Sequence, residues 1–376
     1  MDLRLSEEQE LIRSSAREML AAECPMEHVR AMERDPRGYS PELWGKMAEL
    51  GWMGIALPEN HGGLGYGFLD LCLLLEEMGR ARLPSPFVPT VVLAAMPILR
   101  FGSDEQRSEY LAAIAEGRRV LSTAALEPEG GWEAGAADTV ATPDGDELVL
   151  SGTKLYVPYA GAADELLVLA RQGNGEEGAL TVLLVETAAD GIAHEPLETV
   201  GRDHLERVAF DGVRVGRDRV LGEPGMGSDI AEAITLWGAA ARCAEMVGGA
   251  QRVLETTVDY AKERHQFGRP IGSFQAVQHH CANMSIDVLG SRFLTYEAAW
   301  SLDEAPAVAA EVVPMAKAWT GAAYRRVCQL GHQIHGAIGY TEEEDLHLYL
   351  RHAIASDLAF GDTDHHRERV ARQLGL

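Results

Sequence analysis

Apolar positions recur with a helical period in two long stretches of the chain, and with a two-residue period in the stretch between them. Up to about Val120 the pattern is helical. Ser6 with Gln9 and Ser103 with Gln106 spell capping boxes, and Ser40-Pro41 marks another helix start. Leu11, Ile12, Met19 and Leu20 fall on one helix face, Leu43, Met47 and Leu50 fall on another, and Leu71 to Met78 reads as buried almost all round. Pro58 to Gly67 is too rich in glycine for regular structure. It is either a plain surface loop or a wall over a pocket, and the loop is the simpler reading.

From about Leu121 to Gly222 the runs are short and β-rich: Glu147 to Leu150, Lys154 to Val157, Leu166 to Ala170, Leu180 to Val185 and Arg207 to Val215. Asp144-Gly145, Ser151-Gly152, Gly173 to Gly175 and Asp211-Gly212 punctuate them as turns. Beyond this the helical period returns. Ile230, Ile234, Trp237, Ala241 and Ala244 open a long helix toward Tyr260, and further helices are predicted over Gln275–Leu302, Ala307–Ile334, Glu342–Asp357 and His365–Leu374. The expected fold is a multidomain α+β protein. An N-terminal helical domain (1–120) precedes a small antiparallel β-barrel or sandwich (121–222), and a C-terminal four-helix bundle follows (223–376).

Composition narrows the function classes. With 376 residues and 46% hydrophobic content the chain can bury a large core. A formal charge of -25 and a pI near 4.9 oppose nonspecific binding to nucleic acid or an anionic membrane, so an anionic ligand needs a local basic pocket. No N-terminal stretch reads as a signal peptide and no apolar run approaches the roughly 20 residues needed to span a bilayer, so a cytoplasmic home is expected. Cys24, Cys72, Cys243, Cys281 and Cys328 are scattered and odd in number, which favours buried reduced thiols over disulfides or zinc. His332 with His335, His279-His280 and His365-His366 lack carboxylates at zinc-site spacing, so no metal is expected.

The densest chemistry lies in Tyr260 to Gln278, YAKERHQFGRPIGSFQAVQ. A long helix ends near Arg264, Gly268 and Pro270 break it, and Ser273 is placed to cap the helix that Phe274, Val277 and Cys281 continue. Arg264, Gln266, Gln275 and Gln278 then crowd one junction. An arginine beside amides at a helix N-terminus suits a phosphate-bearing ligand, and a plain capped helix hairpin explains the same residues equally well.

The wording of the segment resembles the R-x-Q-F-G-x-P-I-x-x-F-Q-x-x-Q signature of the acyl-CoA dehydrogenase family, and the resemblance extends over essentially the full length. It implies helices, then a β domain, then a helical bundle. It also implies FAD as cofactor, an acyl-CoA thioester as substrate, α,β-desaturation as the reaction and an electron-transferring flavoprotein as acceptor. A homo- or hetero-oligomer, a dimer of dimers, is implied as well. Arg264, Gln266 and Phe267 would reach the FAD of a neighbouring subunit, with Gln275 nearby. Gln333 to Gly339, QIHGAIG, resembles the family's second clamp Q-x-x-G-G-x-G, with Ala337 in place of one glycine. Gln333 and Gly336 are carried over as contacts, and His335 is expected to hydrogen-bond near the cofactor or a neighbouring chain.

Other family elements have changed. The T-E-P-x-A-G-S-D stretch stands here as Leu126-Glu127-Pro128-Glu129-Gly130-Gly131-Trp132, and leucine offers no hydrogen bond. The aromatic-x-Thr element after G-x-K reads Tyr156-Val157-Pro158: Tyr156 can still stack on a flavin, while Pro158 has neither hydroxyl nor N–H. The family's glutamate base sits in Y-E-G-T, which aligns with Ala359-Phe360-Gly361-Asp362, or near the start of the long bundle helix, where Gly238 and Ala239 stand. Neither Phe360 nor Gly238 can accept a proton. Asp362, Asp364, Glu232 and Glu245 lie near these places and read more simply as helix-end or surface charges. The amide of residue 360 can still polarise a thioester oxygen. Three readings remain: an active flavoenzyme with a relocated base, a subunit that lends its clamp to a homologous catalytic chain, and a flavin-free binding or scaffold protein.

Overall fold

The computed structural model describes residues 4–132, 137–173, 179–223 and 225–376, which form two compact units. One unit comprises Ala31–Tyr66 and Pro84–Gly238; the other comprises Met1–Arg30, Gly67–Leu83 and Ala239–Leu376. The helices in chain order are α1 (Glu7–Glu23), α2 (Met26–Met32), α3 (Pro41–Glu49), α4 (Phe68–Ala81), α5 (Met96–Phe101), α6 (Asp104–Ala115), α7 (Gly227–Glu263), α8 (Gln275–Glu304), α9 (Pro306–His335), α10 (Leu346–Leu358) and α11 (Thr363–Gln373).

Local sequence fixes several of these ends. Ser6 and Ser103 accept from the backbone of Gln9 and Gln106, whose side chains return the bond, so α1 and α6 begin at the predicted boxes. Ser40 caps α3 with Pro41 in its first turn. Leu71 to Met78 on α4 is buried throughout. Leu11 and Leu50 depart from their predicted faces: they are 68% and 53% exposed, while Ala16 and Leu20 carry the covered stripe of α1 and Leu43, Trp44 and Met47 that of α3. Leu11 is nine residues, about two and a half turns, from Leu20 and so points to the opposite face of α1, while Leu50 is the C-cap of α3, where the stripe runs out. Pro58 to Gly67 is irregular except for one short turn, Glu59–His61.

The sheet of the first unit contains β1 (Leu121–Ala124), β2 (Val140–Asp144), β3 (Glu147–Pro158), β4 (Glu165–Gln172), β5 (Leu180–Glu186), β6 (Ile192–Pro196), β7 (Leu205–Gly216) and β8 (Val220–Leu221), in the order β6-β7-β3-β2-β4-β5-β8 with β1 beside β4. The β1–β4 and β2–β4 pairings are parallel and the rest antiparallel. Asp144-Gly145 turns the β2–β3 hairpin as expected, with Gly145 at φ 63. Ser151-Gly152 and Asp211-Gly212 do not end strands. They lie inside β3 and β7, where between the Leu150–Val213 and Gly152–Phe210 pairs Ser151 alone faces Asp211 and Gly212, so Gly212, at φ 67°, marks a bulge of β7 within one long ribbon. Of the third predicted turn, Asn174 and Gly175 lie outside the described residues. Glu165 anchors β4 to α6 by accepting from Tyr110 (2.7 Å), from Arg119 (3.0 Å) and from Arg219.

In the second unit α8 and α9 fold back along each other, and α10 and α11 pack on α9 beside the later part of α7. Glycine sets the approach of α4 to α7. A Cβ on Gly79 would lie 2.0 Å from the Glu245 carbonyl oxygen, and one on Gly248 would lie 1.7 Å from that of Glu76. The buried Glu76 carboxylate is then satisfied by Arg292 at 2.8 Å and by the Tyr296 hydroxyl at 2.9 Å. Helix α10 begins at Leu346, four residues later than its predicted start. No helix among the described residues is long and apolar enough to cross a membrane.

Candidate active site

The Tyr260–Gln278 segment forms a tight hairpin between α7 and α8. Its two short strands, β9 (His265–Gln266) and β10 (Arg269–Pro270), pair antiparallel, with Gln266 opposite Arg269. The two residues between them, Phe267 and Gly268, have φ of 55° and 78°. This double positive φ matches strand twist but is unfavourable for a phenylalanine. The turn nevertheless projects Phe267 outward, 92% exposed, with the Phe274 ring edge-on to it at 6.1 Å between centroids. Arg269 lies over the Phe274 ring at 4.1 Å, Ile271 N–H donates to the Arg264 carbonyl (2.8 Å), and Gln278 Nε2 donates to the Gly272 carbonyl (3.0 Å). Ser273 does not cap α8. Its hydroxyl donates to the Pro270 carbonyl at 2.7 Å, because Phe274, not Ser273, holds the N-cap position. Arg264, Gln266 and Gln275 remain exposed around this corner.

The second motif lies at the same end of the unit. Helix α9 ends at His335, followed by Gly336 at φ 66° and ψ -139°, a conformation open essentially to glycine alone. The Tyr260 and His335 rings stack at 4.2 Å and 20°, and the Tyr260 hydroxyl donates to the His335 carbonyl at 3.4 Å. The ends of α7 and α9 are thereby tied together, with Gln333 exposed beside them. His335 Nδ1 donates to the Gly331 carbonyl (2.9 Å) and His332 Nδ1 to the Cys328 carbonyl (2.8 Å), so these rings face their own helix backbone. Burial holds His335 below the ordinary histidine range and keeps it neutral at pH 7. Among the described residues no group of three or more potential ligands surrounds a metal position.

The turn between α10 and α11 carries Phe360 and Gly361 at φ 58° and 95°. Among the described residues neither of their N–H groups finds an acceptor, a two-donor arrangement of the kind that receives anions or carbonyl oxygens. The turn is pinned from beneath. Lys317 of α9, fully buried, donates to the carbonyls of Asp357 and Gly361, both at 2.8 Å. His366 Nε2 donates to the Phe360 carbonyl at 2.8 Å. The Asp357 carboxylate accepts from the Thr363 hydroxyl (2.7 Å) and from Arg325 (3.0 Å). Burial lowers Lys317 to about 8 and His366, with Lys317 adding to the effect, to about 3.

The carboxylates near Phe360 and Gly238, the two places expected to hold the base, are engaged or exposed. Asp362 caps α11 by accepting from His365 N–H (2.8 Å), Asp364 pairs with Arg367 (2.9 Å), Glu245 pairs with Arg242 (2.9 Å) and Glu232 is exposed. Gly238 is a buried position on α7. Sequence reasoning overlooked Lys317, although a lysine in the run Val313, Ala316, Thr320, Tyr324 stands out as a charge on an apolar helical face.

In the other unit the stretch before the sheet is held by a buried ion pair. Lys154 Nζ donates to Glu127 at 2.5 Å and to the Ala125 carbonyl at 3.2 Å, and the Glu127 carboxylate also accepts from the N–H groups of Thr139 (3.0 Å) and Asp138. Burial alone would raise Glu127, but the Lys154 bond and charge outweigh it and hold the carboxyl below its ordinary range. Leu155 N–H donates to the Leu126 carbonyl at 2.9 Å, fixing the shelf against β3. A register slip between Lys154 and Val157 puts Tyr156 at φ 55°, 52% exposed. Pro158 follows, its carbonyl accepting from the Ser122 hydroxyl.

Three family profiles cover nearly all of the chain: acyl-CoA dehydrogenase N-terminal domain at residues 6–118, middle domain at 122–213 and C-terminal domain at 225–375. The chain is 32% identical over 384 residues to the probable acyl-CoA dehydrogenase YngJ of Bacillus subtilis (strain 168), covering 100% of both. A solved structure of the ChsE4-ChsE5 complex from Mycobacterium tuberculosis is similar at TM-score 0.91 and 31% identity, over 100% of this chain and 99% of that one. Butyryl-CoA dehydrogenase from Megasphaera elsdenii is similar at TM-score 0.92 and 27% identity, over 100% of both.

Proposed function

Because the chain belongs to the acyl-CoA dehydrogenase family, we propose that it works as the FAD-clamping subunit of an acyl-CoA dehydrogenase assembly whose proton-abstracting carboxylate is supplied by a homologous partner chain. The observation that carries this reading is the pairing of an outward-facing clamp segment, changed from the family pattern at Ala337, with residues that cannot act as base: Phe360 stands in one usual place and Gly238 in the other, and the neighbouring carboxylates cap a helix, pair with arginines or face solvent.

The residues present fit FAD unequally. Arg264 and Gln266 offer cationic and amide donors suited to a pyrophosphate, Phe267 offers an uncovered ring, and Gln275, Gln333 and Gly336 border the same corner. In the chain's own β unit, Pro158 and Leu126 withhold the donors that a flavin edge needs, which leaves Tyr156 as a stacking surface. FAD, when bound, supplies the acceptor for the hydride leaving the β carbon. The chain's own contribution toward substrate is the donor pair at Phe360 and Gly361, placed to bond a thioester oxygen and acidify the α carbon. Without a base beside it, such a site binds a thioester and turns it over poorly. The electron acceptor in this reading is an electron-transferring flavoprotein, and the assembly is a heteromer.

The test is to purify the chain alone and again with a homologous partner, measuring FAD per chain and acyl-CoA oxidation in each preparation. Flavin and turnover that require the partner are the expected result. Stoichiometric FAD with fast turnover by this chain alone would refute it, and no flavin in either preparation would point to a scaffold.

A further inference from the structure

We propose that Lys317 is the positioning residue of the thioester-binding turn: by bonding the Asp357 and Gly361 carbonyls it fixes the span that presents the N–H groups of Phe360 and Gly361. The proposal rests on the reading of that turn as the thioester site. Three consecutive features make the turn expensive to hold. Phe360 and Gly361 both sit at positive φ (58° and 95°), the carbonyls at Asp357 and Gly361 are turned inward, and only residues 359–362 join α10 to α11. An ordinary helix end leaves its last carbonyls to water or to a following amide. Here the Lys317 ammonium takes both carbonyls at 2.8 Å, and His366 takes the Phe360 carbonyl between them at 2.8 Å.

All three carbonyls from Phe360 to the flanking anchors therefore point toward buried donors, and the intervening N–H groups are left without acceptors among the described residues. A lysine suits this place better than a neutral donor. Asp357 lies at the C-terminal end of α10, where the helix dipole favours a cation, and charge-assisted bonds to two carbonyls offset the loss of water around the ammonium. The groups facing Lys317 are Arg242 and Cys243 on α7, the Asp357 carboxylate on α10, Asp362 in the turn and His366 on α11.

The readout is the preference for a thioester carbonyl. In the complete FAD-loaded assembly, Kd is measured for crotonyl-CoA, the unreactive enoyl product, and for the thioether S-butyl-CoA, which lacks the carbonyl oxygen. The natural assembly is expected to prefer the thioester, and Lys317→Met in this chain is expected to lower that preference about tenfold while the thioether affinity stays within about twofold. Loss of structure alone would weaken both ligands together, and an unchanged preference in a folded Lys317→Met assembly overturns the proposal. If the variant does not fold, the natural assembly decides: the preference should fall about threefold as pH rises through the Lys317 transition near 8, because the neutral amine keeps its bonds but loses their charge assistance. A flat preference from pH 7 to 9.5 overturns the proposal in that case. If the natural assembly shows no carbonyl preference at all, the thioester reading of the turn fails and this inference falls with it; a preference kept by the natural protein and by the variant refutes Lys317 alone.

Discussion

Phe267→Asn separates what a residue does for its own chain from what it does for a neighbour. In the isolated chain Phe267 is 92% exposed, held at φ 55°, and meets the Phe274 ring edge-on at 6.1 Å between centroids. Asparagine tolerates the left-handed region, so the substitution relieves about 1 kcal/mol of backbone strain. It gives up an edge contact of about 0.5–1 kcal/mol. The two terms nearly cancel, and the melting temperature of the chain alone should move by no more than about 3 °C. If the ring is covered by a neighbour's cofactor or backbone in the assembly, about 2 kcal/mol of burial is lost there. That loss corresponds to roughly 30-fold weaker FAD retention. Differential scanning fluorimetry of the chain alone and FAD titration of the stripped assembly measure the two quantities on one variant. A melting temperature lowered by more than about 5 °C would mean that the ring packs within the chain. FAD affinity unchanged within about twofold would remove Phe267 from the clamp.

Arg264→Ala should abolish FAD retention by the assembly through gel filtration while leaving the isolated chain's melt unchanged; full flavin content would reduce the corner to a structural turn. Glu127→Gln leaves the Lys154 ammonium buried with no anionic partner and should cost about 3–5 kcal/mol by urea denaturation, with a loss under about 1 kcal/mol showing that the shelf rearranges freely. His366 is held neutral, at about 3 against about 6.5 unfolded, so between those values the unfolded chain binds more protons and stability must fall as pH drops. The loss is on the order of 5 kcal/mol across that whole window, about 3 of it by pH 4; it is absent above about pH 7, and His366→Gln should flatten it in a urea series from pH 7 to 4. Phe360→Glu places a carboxylate on the same positive-φ backbone, and acyl-CoA oxidation by the FAD-loaded assembly should rise at least about tenfold if only the base is missing from this chain's site.

The architecture was legible because each stretch of the chain advertises its period. The capping boxes, the β-rich runs and the apolar face of α7 carry local information that tertiary packing merely uses. The errors came where one residue type serves two geometries. Gly152 and Gly212 have the composition of turns, but the strands on both sides continue, and only pairing with a neighbouring strand distinguishes a bulge from a reversal. Ser273 has a cap's composition, one residue too early, and its hydroxyl goes to Pro270 instead. Lys317 was overlooked for a different reason: its charge on an apolar face is visible, but what makes it matter is the pair of carbonyls some 40 residues downstream, and a lone sequence does not report where α9 meets the end of α10.

The pattern of what is kept and what is changed is itself directional. A chain drifting away from flavin chemistry has no reason to keep a strained, uncovered Phe267, a glycine-only conformation at Gly336 and two exposed amide side chains around Arg264, since none of these stabilises the chain that carries them. In the reading proposed above, a chain catalysing the reaction by itself has no use for Phe360 at the end of a turn braced by Lys317, His366 and Asp357, because that bracing would direct donors at a thioester without a base to follow. Strain held at one corner and binding geometry held at another are both intelligible if the work they support is completed by a second chain. The physical requirement is then on that partner: it must bring a carboxylate and flavin-edge donors of the kind that positions 360 and 158 lack.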